Sequence, residues 1–69
     1  MNERLNRLID EMVENGIRFE DAQREFERRF ISKVLANADG NLSKAADVLG
    51  LHRNTLTRKL AEHRLKRRP

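Results

Sequence analysis

Apolar residues recur along the chain with a period of three to four. Leu5, Leu8, Ile9, Met12 and Val13 stand at i, i+3, i+4, i+7 and i+8. That spacing lines one face of a helix and predicts one over Asn2 to Glu14. Arg4, Arg7, Asp10, Glu11 and Glu14 take the other positions, and Asn15-Gly16 supplies a stop. A second helix is predicted from Phe19 or Glu20 to Ala38. Glu20 and Asp21 sit in its first turn, where the helix dipole favours acidic groups. Ala22, Phe26, Phe30 and Val34 repeat at i+4 in this stretch, with Phe19, Ile31, Leu35 and Ala38 beside them. A stripe that wide serves two neighbours rather than one.

Ala38-Asp39-Gly40-Asn41 reads as a turn, with Gly40 free to take a positive φ. A short third helix follows from Leu42 to Leu49, capped by Asn41 or Ser43 and ended by Gly50. The fourth is predicted from Arg53 to about Arg64, with Leu56 and Leu60 inward and His63 near that face. No strand pattern, internal repeat or low-complexity segment occurs, so the fold class is all-α with four helices.

The third and fourth segments fit a helix-turn-helix. Such a unit needs a small residue where its helices cross, a glycine in the turn, and apolar pins for the second helix. Ala46, with Ala45 beside it, is the small residue, and Gly50 lies in the turn. Leu49, Leu51, Leu56 and Leu60 are the pins. On a wheel with about 100° per residue, Asn54, Thr57, Arg58 and Ala61 point away from Leu56. His52 and Arg53 stand at the N-terminal end, which usually meets base edges. Arginine offers a fork suited to guanine, and asparagine suits adenine. Thr55, Lys59 and the Lys66–Arg68 tail are placed to reach phosphates.

Charge supports that reading. Of the chain's 69 residues, the stretch from Met1 to Ala36 carries seven Lys/Arg and eight Asp/Glu, a net −1. The stretch from Asn37 to Pro69 carries eight Lys/Arg and three Asp/Glu, a net +5. A near-neutral scaffold followed by a basic element suits a polyanionic partner.

The segment GNLSKAADVLGLHRNTLTRKL, from Gly40 to Leu60, resembles the C-terminal helix-turn-helix of the Fis family (factor for inversion stimulation). It meets the pattern G-N-x-[ST]-x-A-A-x-x-L-G-[ILV]-x-R-x-T-L throughout. The same module ends NtrC-type activators of sigma-54 promoters. FEDAQREFERRFISKVLANADGN is similar to the preceding helix of that family, so the resemblance covers roughly Phe19 to Leu65. It implies an intertwined homodimer whose first two helices form the core and whose recognition helices bind degenerate palindromic sites, often bending DNA around an AT-rich centre. By the same resemblance, Asn41 and Ser43 would contact the backbone, and His52, Arg53 and Thr57 the bases. Thr55, Arg58 and Lys59 would support them at phosphates. The family's namesake has asparagine at the position of His52 and arginine at that of Thr57, so base preference need not transfer.

The expected organisation is a dimerising part over residues 1–39 and a DNA-binding part over residues 40–69, within one domain. Leu5, Leu8, Ile9, Met12, Phe26, Phe30 and Val34 are the expected dimer contacts. A chain this short buries only about 60% of its unfolded surface, and without cysteine it has no disulfide to help. Oligomerisation is the remaining remedy. No apolar run approaches the roughly 18 residues of a membrane span. No signal peptide opens the chain, so a cytoplasmic protein is expected, and the resemblance implies the bacterial nucleoid.

Met1 opening directly on the first helix favours a short stand-alone regulator over an excised domain of a sigma-54 activator. Glu25, Glu27, Arg28 and Arg29 read as a solvated, self-pairing face. His63 reads as a packing or helix-end residue. Two histidines eleven apart and no cysteine do not suggest a metal site. Neither serine has a histidine nearby in sequence to activate it, and no Gly-rich phosphate loop is present. Catalysis, cofactors and small-molecule ligands are therefore not expected. A helical module whose basic face meets an acidic protein is the remaining alternative.

Overall fold

The computed structural model describes residues 2–65, and the Lys66–Arg68 tail lies outside them. Four helices follow in order: α1 (Asn2–Glu14), α2 (Phe19–Asn37), α3 (Leu42–Leu49) and α4 (Arg53–His63). No strand occurs among the described residues. The chain is all-α, and the four helices of the described residues lie where the periodicity puts them, to within a residue at their ends.

The ends have local causes. After α1 the backbone amide of Ile17 donates to the Met12 carbonyl at 3.1 Å, across Gly16 at φ 71°. That 6→1 closure is the usual way a left-handed residue terminates a helix. α2 starts after Arg18 in extended backbone, with no side-chain cap. Glu20 and Asp21 in its first turn partly compensate through the dipole. It ends one residue before the sequence reading placed its end, because Ala38 has already left helical geometry and serves as the cap. Asp39 and Gly40 then both take positive φ, 54° and 80°, and the Gly40 amide donates back to Leu35. Aspartate is among the few side chains that tolerate this region.

The core is small. Ile31, Leu35 and Ala38 of the α2 end pack with Leu42, Ala45, Ala46, Leu56 and Leu60, flanked by Val34, Leu49 and Leu65. α3 is the centrepiece and packs against both α2 and α4. α1 buries no residue at all. Its Leu5, Leu8, Ile9 and Val13 are exposed, as are Phe19, Phe26 and Phe30 of α2. The wide α2 stripe therefore splits. One side fills the chain's own core, while the Phe26–Phe30 side, with ring centroids 5.3 Å apart, faces outward. Val34, expected beside the phenylalanines, is half-buried against the chain's own core instead. Met12 is half-buried.

Candidate nucleic-acid interface

The turn between α3 and α4 sets the geometry. Gly50 sits at φ 70°, ψ 28°, the left-handed region, and caps α3. A methyl group there would meet nothing within 4 Å, so glycine is needed for its backbone angle and not for space. The next amide, Leu51, donates to the Ala46 carbonyl at 3.0 Å. Ala45 and Ala46 are buried where α3 meets its neighbours, as a close crossing requires.

Both helices of the unit are capped by residues of the candidate set. Asn41 Oδ1 accepts from the Lys44 amide at 3.1 Å, which selects Asn41 over Ser43 as the α3 cap. His52 Nδ1 accepts from the Asn54 amide at 3.0 Å and caps α4. With Nδ1 accepting, the proton of a neutral His52 ring lies on Nε2, on an exposed side chain.

Along α4, Leu56 is fully buried and Leu60 nearly so, while Arg53, Asn54, Thr57 and Arg58 are exposed. The Thr57 hydroxyl donates to the Arg53 carbonyl at 3.1 Å, which leaves it an acceptor and a methyl group to present outward. Thr55 is half-buried. Arg53 shares one open recess with Asn41, Ser43 and Lys44, so the starts of α3 and α4 lie side by side. Lys44 is an addition to the sequence-derived set; its position in the first turn of α3 was the available signal.

Lys59 differs from expectation. Its ammonium donates to Glu27 Oε1 at 2.8 Å, and the same oxygen lies 3.2 Å from His63 Nε2. Glu27 is thus no part of a solvated face. It stands one turn before Ile31 and two before Leu35, which is how the α2 wheel could have marked it as inward. Glu25, Arg28 and Arg29 do pair along their own helix, with Arg29 Nε donating to Glu25 at 2.6 Å and Arg28 3.7 Å away. Hydrogen bonding from Lys59, then from His63, holds the Glu27 carboxyl below its ordinary range against the opposing effect of burial. Arg29 does the same for Glu25. Glu27, Glu62 and His63 also bring three possible metal ligands within 4.8 Å of one another. The Lys59 ammonium on the Glu27 oxygen makes this an ion-pair cluster.

The sequence profile of the bacterial regulatory proteins of the Fis family matches residues 22–63, from within α2 to the end of α4. The chain belongs to the Fis family. Two curated relatives place this Fis-family chain further. It is 45% identical to the DNA-binding transcriptional regulator NtrC of Azospirillum brasilense over 53 residues, which cover 77% of this chain and 11% of that protein. It is 48% identical over 42 residues to a Fis-like DNA-binding protein of Xylella fastidiosa, covering 61% of this chain and 47% of that one. The Fis-family chain thus spans about a tenth of one relative and about half of the other. No solved structure matches it.

Proposed function

We propose that this chain is a bacterial transcription regulator of the nucleoid-associated kind, which binds double-stranded DNA through the major groove as a homodimer. One observation carries the reading. Beyond the left-handed turn at Gly50, α4 buries Leu56 and Leu60 and turns Arg53, Asn54, Thr57 and Arg58 to solvent. An exposed helix face with the Arg53, Asn54 and Arg58 donors and the Thr57 acceptor suits a groove lined by base edges and phosphates. His52, Arg53, Asn54 and Thr57 are the proposed base-reading residues. Asn41, Ser43, Thr55 and Arg58 position the unit on the backbone. Residues 1–39 supply the dimer contacts and residues 40–69 the DNA contacts. Two such units related by a twofold axis read palindromic half-sites. Degenerate sites with an easily bent AT-rich centre complete the proposal.

A second reading, that the chain is the DNA-binding domain of an NtrC-type activator, is favoured by the 45% identity to the Azospirillum protein. The length of the encoding open reading frame separates the two.

Selection from random duplexes, followed by titration at fixed salt, tests the DNA reading. Arg53→Ala is expected to cost about 1–3 kcal/mol per half-site on a selected sequence and much less on random duplex. If no sequence is enriched, and DNA competes no better than another polyanion of equal charge density, an acidic protein becomes the better partner.

A further inference from the structure

Among the described residues, two side-chain hydrogen bonds join helices distant in sequence, and both end on one oxygen. They run from Lys59 and His63 of α4 to Glu27 Oε1 of α2. The other side-chain bonds span four residues or fewer. The three side chains of the cluster are largely withdrawn from water: 23% of Glu27, 26% of Lys59 and 7% of His63 stays accessible.

α4 is otherwise docked by Leu56 and Leu60, one turn apart. Their burial chooses which face of α4 turns inward, but apolar contact is non-directional, and two leucines one turn apart define the fine rotation and slide of the helix less tightly than a directional bond does. A carboxylate bonded to an i,i+4 pair supplies the missing direction at the C-terminal half of α4. Glu27 also adjoins Phe26, whose ring faces outward from α2. The cluster therefore ties α4 to the helix that would set the distance between two copies of α4.

We propose that Glu27 is a positioning residue for the recognition helix, and that Lys59 neutralises Glu27 instead of meeting a DNA phosphate. The proposal rests on the reading of α4 as the DNA-contacting helix, and it removes Lys59 from the phosphate set. An ammonium 2.8 Å from a carboxylate in a mostly desolvated site is not a free cation. To reach DNA it would have to leave Glu27 with His63 alone. The exposed Arg58, Arg53 and Lys44 carry no such partner among the described residues.

Salt dependence of duplex affinity separates the two roles of Lys59, because each cation that meets a phosphate releases counterions and adds about 1 to the slope. The full chain is titrated with random duplex as wild type, Lys59→Ala, Glu27→Ala and the double variant. Lys59→Ala should keep the wild-type slope. Glu27→Ala should steepen it by about 1 per chain, as the released Lys59 reaches the backbone, and the double variant should return it to the wild-type value. On a selected sequence, Glu27→Ala should lose several-fold more affinity than on random duplex, since only base reading needs the exact pose of α4. A residue that merely stabilised the fold would weaken both DNAs alike and leave the slope alone, which would overturn the proposal. So would a slope that falls by about 1 per chain in Lys59→Ala. Circular dichroism confirms folding, and should Glu27→Ala not fold, the Lys59→Ala slope alone decides. Wild-type protein without salt-dependent duplex binding would overturn the DNA reading itself, and the positioning role with it.

Discussion

His52 has two ring nitrogens and two tasks. Nδ1 closes the start of α4 on the Asn54 amide, and on the proposed DNA reading Nε2–H is the atom left to meet a base. The asparagine that the family's namesake carries at this position also offers an acceptor one residue before the helix. On that reading the two residue types would share the cap and differ in what they show the groove. His52→Ala should cost about 1 kcal/mol of stability through the lost cap. His52→Asn should keep the stability and change base preference. Thermal unfolding of both variants checks this, and an unshifted midpoint in His52→Ala would remove the capping role.

At the scale of elements, the joints matter more than the helices. α3 is held to α2 and α4 by apolar contact through buried Leu42, Ala45 and Ala46, whereas α2 is bonded to α4 through one carboxylate. Glu27 faces Lys59 and His63 of α4, and Glu20, Arg24 and Glu62 line the same recess. Its carboxyl titrates below the ordinary value of 4.5 in the folded chain. A depressed acid pKa contributes stability that is complete above the unfolded value and is lost as pH falls through the folded one. Acid should therefore loosen the α2–α4 joint from about pH 4.5 downward. Glu27→Gln should lower stability at neutral pH and flatten this acid loss. Denaturant midpoints measured across that range would show parallel wild-type and variant curves if Glu27 were not the group responsible.

The whole molecule leaves an apolar surface unused. Phe26 and Phe30 are 59% and 50% exposed, and Leu8, Ile9 and Val13 of α1 are exposed as well. Among the described residues the core has eight buried members, three of them alanine. So small a core gives little independent stability, and a second copy covering the exposed apolar residues of α1 and α2 would bury what one chain cannot. Light scattering coupled to gel filtration should report twice the chain mass, and a clean monomer at tens of micromolar would rule the dimer out. Phe30→Asp should unfold the protein rather than release a stable monomer, because folding and association would share one core.

Helix positions were legible in the amino-acid sequence because their causes are local. The apolar period of α1, the Asn41 cap and the left-handed Gly50 each act within a few residues, so Asn2–Glu14 and Leu42–Leu49 were readable without a partner element. The outward set of α4 was legible for the same reason, since Leu56 and Leu60 fix the wheel from which Asn54, Thr57 and Arg58 point away. What lies at each angle of a wheel is not local. Only the tertiary structure decided that the α2 stripe divides between Ile31, Leu35 and Ala38 inside and Phe26 and Phe30 outside, with Val34 going to the core. It also decided that Glu27, which the α2 wheel places near the inward side, meets Lys59 and His63 of α4. A single-helix pattern records which residues share a side; which charge from another helix stands opposite, here Lys59 at a separation of 32 residues, depends on how the chain closes on itself.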